Sequence, residues 1–294
     1  MKNLLSKATP ADLADEASIE AFLSRQPHSS VGTYKGSTSC VQVSTDYGHE
    51  LIFDAGTGIR SLAGDLLRGP CGKGQGELHL FLSHLHWDHI QGFPFFVPAY
   101  IPGNRINIYG VIQELEKKFR NQMIHPYFPV LFEHLAASFV FTELEERKPI
   151  QLGENVVVHN ERLYHPQVTH AFSVTQINGK KVVYMTDSEF NLSNMQLIQD
   201  AVEICKDADA FIFDCQFTFA DCISKMDWGH SSVFTGIDIA TSANAKELFL
   251  FHHEPSYDDS KIDQIIEEAF KYRAVAGNRD LKLTGAYEGL EVQI

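Results

Sequence analysis

The chain has 294 residues, 44% hydrophobic and 21% charged, and its 24 Lys and Arg against 38 Asp and Glu give a net charge of −14. This is the composition of a globular protein, so disorder, collagen and coiled coil are excluded, and the length admits one large α/β domain or two small ones. No run of about 18 apolar residues is present to span a membrane, and the start, MKNLLSKATPADLADEAS, turns polar and acidic too soon for a signal-peptide core.

Residues 1–29 are expected to form a helical, solvated lead-in, with mixed helical periodicity from Ala11 to Leu23. From Ser39 short apolar runs recur: SCVQVS, ELIFD, ELHLFLS, RINIY, SFVFTE, NVVVHN, AFSVTQI, KKVVYM, AFIFD and ELFLF. Rich in Val, Ile and Phe and bounded by polar residues or Gly, they predict strands. Helical patterns lie between some of them, at Ile59–Leu67, Ile112–Met123, Asn194–Ile204, Val233–Ser242 and Lys261–Tyr272. Strand pairs followed by helices predict a layered α/β (α+β) fold, and 30–294 shows no linker or repeat that would divide it. GPCGKGQG (Gly69–Gly76) leads into a strand rather than a helix, so it is expected to be a flexible connector and not a phosphate cradle.

The chemistry concentrates in LHLFLSHLHWDHIQGFPFF. His84 and His86, two apart on an extended chain, point the same way and can meet one ion. Asp88 and His89 follow at helix-like spacing and can face a second position. Imidazole and carboxylate are ligands for zinc, manganese or iron. Asp54, His165, Asp187, His252 and His253 each stand just past an apolar run, where strand ends of layered α/β folds line a shared crevice. The five cysteines are scattered and form no CxxC, which fits a reduced, cytoplasmic protein.

Taken with STSCVQV, LIFDAGTGIR, LYHP, VVYMTDSE, GHSS and LFHHEP, in this order from Ser37 to about Pro255, the HxHxDH motif resembles the metallo-β-lactamase superfamily. The likeness is to its ribonuclease Z-like and cyclic-nucleotide phosphodiesterase-like branch. The resemblance implies an αββα sandwich, two mixed β-sheets flanked by helices, over 30–294. It implies two divalent metal ions, zinc first, with manganese or iron as alternatives. His84, His86 and His165 would hold one ion, Asp88, His89 and His252 the other, and Asp187 would bridge both. Asp54 would be a buried carboxylate that orients a ligand histidine. His170 competes with His165, and His253 with His252; local spacing does not separate them. The short strand and Arg-Gly-Ser turn that family members carry before STSCVQV are not visible.

In the expected mechanism a hydroxide shared by the two ions attacks phosphorus, Asp88 accepts a proton, and His230 in DWGHSS protonates the leaving group or contacts phosphate. Tyr127 and Phe128, in HPYFPVLFEHL, are candidates for base stacking, with loop packing as the alternative. Trp87 is expected to pack and stiffen the turn. The first expectation of function is a phosphodiesterase for a small phosphodiester such as a cyclic nucleotide. Alternatives are a ribonuclease Z-type transfer-RNA 3′-processing endonuclease and a carboxylic ester, lactone or thioester hydrolase, with a non-catalytic metal-binding protein last. The negative charge and the lack of an evident basic, glycine-rich arm set a long nucleic acid aside as partner. A membrane partner is not expected, and a homodimer is left open.

Overall fold

The computed structural model describes residues 2–34, 36–190 and 194–294, so Met1 of the expected lead-in lies outside them. The first sheet contains β1 (Val41–Ser44), β2 (Glu50–Phe53), β3 (Glu77–Phe81), β4 (Arg105–Gly110) and β5 (Ser138–Glu143), in that order across the sheet. β1 runs antiparallel to β2, and the other neighbours are parallel. The second sheet contains β6 (Ile150–Leu152), β7 (Val156–Leu163), β8 (Thr169–Gln176), β9 (Lys181–Met185), β10 (Ala210–Asp214), β11 (Glu247–Phe251) and β12 (Lys282–Gly285). From β6 to β9 its neighbours are antiparallel; from β9 to β12 they are parallel.

Alternation along the strands sorts side chains into layers. Leu51 and Phe53 on β2, Phe81 on β3, Tyr184 on β9 and Ile212 on β10 meet between the sheets. Ile52, Leu78 and Leu80 point outward, against Ile59, Ala63 and Leu66 of α4 (Ile59–Leu66) and Leu115 and Phe119 of α6 (Leu115–Arg120). Val183, Phe211, Phe213 and Leu248 point to the other outer face. There α7 (Met195–Cys205), α9 (Val233–Ser242) and α10 (Asp259–Val275) cover them with Ala201, Ile237 and Ile265. The result is the αββα sandwich. Because β10 is covered on both faces, AFIFD reads as a continuous apolar run.

Each of the ten expected strand segments contains a strand, and each expected helix contains helical turns. The strands not foreseen, β6 and β12, are the two edges of the second sheet. Edge strands are short and half exposed, so IQL and KLTG carry little pattern. The short helices α1 (Lys2–Leu5), α2 (Glu16–Leu23) and α3 (His28–Val31) open the chain, α5 (Trp87–Ile90) carries part of the HxHxDH motif, and α8 (Phe219–Ser224) completes the set among the described residues. The opening segment is docked: Phe22 is buried, and Ser29 and the Tyr34 hydroxyl donate to Asp263 of α10. The Gly69–Gly76 connector departs from expectation. Its Cys71 is buried, and the Asn104 side chain accepts from Gly76 N and donates to the Cys71 carbonyl, so the segment is pinned to the sheet.

Candidate metal centre

The parallel strands β2, β3, β9, β10 and β11 point their carboxyl ends to one rim, where open α/β sheets place their ligands. Asp54 follows β2, His84 and His86 follow β3, Asp187 follows β9, Asp214 closes β10 and His252 follows β11. Asp54, Asp187 and His252 have φ of 60°, 46° and 59°. For residues with a Cβ this left-handed conformation costs roughly 1–2 kcal/mol and is tolerated best by Asp, Asn and His. The strain turns the chain sharply at each strand exit and drives the side chain across the rim.

Within the motif, residues 82–86 carry the chain off the end of β3, and the His84 and His86 rings lie 4.4 Å apart. The turn α5 then delivers Asp88 and His89. A Cβ on Gly56 would lie 2.3 Å from the Asp88 carbonyl oxygen, so only glycine lets the loop after Asp54 approach this turn.

Asp187 stands at the centre. Its Oδ2 lies 3.7 Å from His84 Nε2 and 3.8 Å from His165 Nε2. Its Oδ1 lies 3.2 Å from His89 Nε2 and 3.3 Å from His252 Nε2. Asp88 Oδ2 lies 3.3 and 3.5 Å from the same two nitrogens. Two groups thus share Asp187: His84, His86 and His165 on one side; Asp88, His89 and His252 on the other, each with ligand atoms within 4.8 Å of one another. The His84 and His89 Nε2 atoms are buried without a hydrogen-bond partner. Orphaned buried imidazole nitrogens are costly unless something occupies the space between them. Three nitrogens plus an oxygen, and two nitrogens plus two oxygens, suit zinc or related divalent ions.

Electrostatics follow the same division. Burial holds the pKa values of His84, His86 and His165 below the ordinary histidine value. Burial opposes charge on His89 too, yet Asp187 and Asp54 outweigh it and hold that pKa well above the usual range. At His252 burial is outweighed by Asp187 and Asp88, and its pKa rises to about 9. Asp88 and Asp187 respond in kind: burial works against their charge, but the facing histidines hold both carboxyls below the carboxylate range.

A ring of polar partners sets the ring orientations. Asp54 Oδ2 accepts from His89 Nδ1, Ser83 Oγ and the Tyr184 hydroxyl, each at 2.7 Å, while Oδ1 accepts from Ser83 N at 2.8 Å. A carboxylate only accepts, so His89 keeps a proton on Nδ1 and turns Nε2 to the site. His165 Nδ1 donates to the Gly229 carbonyl at 2.9 Å. His230 Nδ1 lies 2.9 Å from Asp214 Oδ2, and its ring is 5.2 Å from His165 and 5.3 Å from His252. Asp214, Tyr184 and Ser83 were missed from sequence. Asp214 bears the same signal as Asp54, an acid closing an apolar strand.

Other expected residues lie elsewhere. His253 Nε2 faces the Ala286 carbonyl at 3.0 Å and its ring packs beside Tyr34, outside both groups. His170 is buried, 3.5 Å from Glu146, and joins neither group. Phe128 packs against Phe95, whereas Tyr127 is 75% exposed. Trp87 is 65% exposed, so it does not stiffen the turn by packing as expected: the short helix aims it outward while His89 and Ile90 turn in.

The profile of the Beta-lactamase superfamily domain matches residues 49–253. The Ribonuclease Z of Cyanothece sp. is 26% identical over 241 residues, covering 65% of this chain and 72% of that protein. Among solved structures, the metallo-beta-lactamase fold protein YhfI from Bacillus subtilis is similar with a TM-score of 0.63 at 21% identity, covering 88% of this chain and 95% of its own. Human tRNase Z, short form, is similar with a TM-score of 0.57 at 20% identity, covering 90% and 96%. These relatives overturn the expectation that sets a long nucleic acid aside, because proteins named for cutting RNA and tRNA share this sequence pattern and fold. Net charge is a sum over the whole chain, and fields between exposed charges fade beyond about 8–10 Å at physiological salt. Several of the acids counted in it, Asp54, Asp187, Glu189 and Asp214, are moreover buried around the site and do not face a polyanion.

Proposed function

We propose, from the premise that this chain belongs to the Beta-lactamase superfamily of metal-dependent hydrolases, that it hydrolyses RNA phosphodiesters as a ribonuclease Z does, processing transfer-RNA precursors at the 3′ side. The observation that carries the two-ion hydrolase reading is the divided Asp187 carboxylate, one oxygen toward His84 and His165 and the other toward His89 and His252. In this assignment His84, His86, His165 and Asp187 hold one divalent ion, zinc first, and Asp88, His89, His252 and Asp187 hold the second. Such a pair of ions lowers the pKa of water and neutralises charge on phosphoryl oxygens.

The chain's own residues do the rest. Asp88, the most exposed carboxylate of the set, takes a proton from the attacking water. His230 gives a proton to the departing oxygen through Nε2, because Asp214 holds its Nδ1 and thereby its tautomer and tilt. Asp54 keeps His89 turned inward. The Ribonuclease Z likeness across most of the chain supports RNA over a small diester. We assign 30–294 to one hydrolase unit acting in the cytoplasm, where its five unbridged cysteines persist.

The test is a hydrolysis panel on protein of measured metal content: a transfer-RNA precursor, a cyclic nucleotide, bis-p-nitrophenyl phosphate and a lactone, each with and without chelator. The expected result is chelator-sensitive trimming of the precursor. Turnover of the cyclic nucleotide with the precursor untouched would move the assignment to a small-diester phosphodiesterase. Lactone turnover without any phosphodiester turnover would overturn it.

A further inference from the structure

The turn that precedes His230 is locked to the site at three points. The Tyr164 hydroxyl donates to Asp227 Oδ1 at 2.9 Å, Gly229 N donates to Glu189 Oε2 at 3.0 Å, and the Gly229 carbonyl receives His165 Nδ1. Asp227 and Gly229 both have positive φ, and a Cβ on Gly229 would lie 2.1 Å from His165 Nδ1. With no room inward, the turn sends Trp228 out, and the residue is 61% exposed. A tryptophan carries 150–250 Å² of mostly apolar surface, which a fold ordinarily buries.

Lys225 lies beside it. Its ammonium is 5.5 Å from the Trp228 ring and 4.3 Å from the Phe217 ring, and Phe217 in turn packs 5.5 Å from His230. Glu254 approaches Lys225 at 3.7 Å, too far for a direct hydrogen bond, and the Lys225 side chain is 27% exposed, so an anion from solvent can still reach it. An exposed indole with a cation over its ring, two residues from His230, matches a base and its phosphate. Aromatic faces stack any nucleobase, and lysine meets phosphate as a point charge.

We infer that Trp228 and Lys225 form a binding subsite for the nucleotide adjoining the cleaved phosphodiester, the base stacked on the indole and the phosphate against the ammonium. The inference rests on the phosphodiesterase reading but can be tested apart from it. The chain has two tryptophans, so Trp87→Phe leaves Trp228 as sole indole reporter. In the metal-loaded variant, adenosine monophosphate quenches this fluorescence saturably, and ribose 5-phosphate, which lacks the base, does not. In the otherwise native chain, Trp228→Ala weakens adenosine monophosphate binding by roughly 5- to 150-fold, the range of one base–aromatic stack, and Trp228→Phe recovers most of it. Lys225→Ala weakens binding and flattens its salt dependence, and Lys225→Arg restores both. For oligoadenylate cleavage, Trp228→Ala acts through KM, with at least a fivefold larger loss of kcat/KM than for methyl p-nitrophenyl phosphate. Absent quenching, equal quenching by ribose 5-phosphate, or equal losses on both substrates would overturn the subsite. If no phosphodiester is turned over, the functional reading fails, and the quenching result alone decides the subsite.

Discussion

Replacing Asp54 by Asn tests the site through a group that touches neither metal nor substrate in the proposed assignment. Asp54 Oδ2 receives three donors at 2.7 Å: His89 Nδ1, Ser83 Oγ and the Tyr184 hydroxyl. The hydroxyls can rotate to accept from an amide, but His89 Nδ1–H cannot. Ser83 N–H, which cannot turn away either, keeps the amide oxygen at the Oδ1 position, so the NH₂ faces His89 and the ring must move its proton to Nε2, the atom that lies 3.2 Å from Asp187 and would hold the second ion. A protonated Nε2 is no ligand. Losing such an orienting partner costs about 10- to 100-fold in metal affinity, or ~1.4–2.7 kcal/mol. The lost charged hydrogen bond also costs the fold about 1.5–3 kcal/mol. The first group keeps its ligands, so Asp54→Asn is expected to retain one metal per chain where the parent retains two. Elemental analysis after dialysis against buffered zinc, together with denaturant unfolding, reads both effects. Two ions at parental affinity in a folded Asp54→Asn protein would refute the reasoning.

Asp187→Ala removes the carboxylate facing both groups and is expected to lose both metals or most activity; full metal content at the parental rate contradicts the bridging role. His230→Ala is expected to slow RNA cleavage by about 10²- to 10⁴-fold with metal content unchanged, and to slow p-nitrophenyl esters far less, since that leaving group needs no proton. Equal slowing of both would remove the assigned proton donation. Gly229→Ala forces a Cβ to within 2.1 Å of His165 Nδ1 and should weaken the first ion selectively, as a zinc titration would register. For pH, His89 and His252 have raised pKa values in the metal-free protein, His252 about 9 against an ordinary 6.5. Their protons stabilise that form fully below about pH 6.5; the His252 contribution fades as pH rises through about 9, and the His89 contribution as pH rises through its own raised pKa. Metal must displace these protons, so affinity should climb with pH across the same window, by up to about tenfold per unit for each proton released. Zinc competition at several pH values checks the slope, and a flat profile contradicts it.

Where a feature depends on immediate neighbours in the chain, it was legible in the sequence. The strands were legible because burial on one or both faces demands apolar runs, and the HxHxDH motif was legible because its four groups are local. Edge strands β6 and β12, freed from that demand, left no pattern. Residues 1–29 showed helical periodicity, but the docking of Ser29 and Tyr34 onto α10 pairs groups more than 200 positions apart.

The sequence by itself showed an acidic and imidazole set placed just past apolar strands, and the order of strands and helices showed the layered α/β class. Only the tertiary structure decided among adjacent candidates. It turns His252 rather than His253 to Asp187, keeps His170 away beside Glu146, and pairs Asp214 with His230. The reason is physical. A strand exit with positive φ aims one side chain and turns its neighbour away, and that dihedral is set by packing between two sheets rather than by any local run of residues.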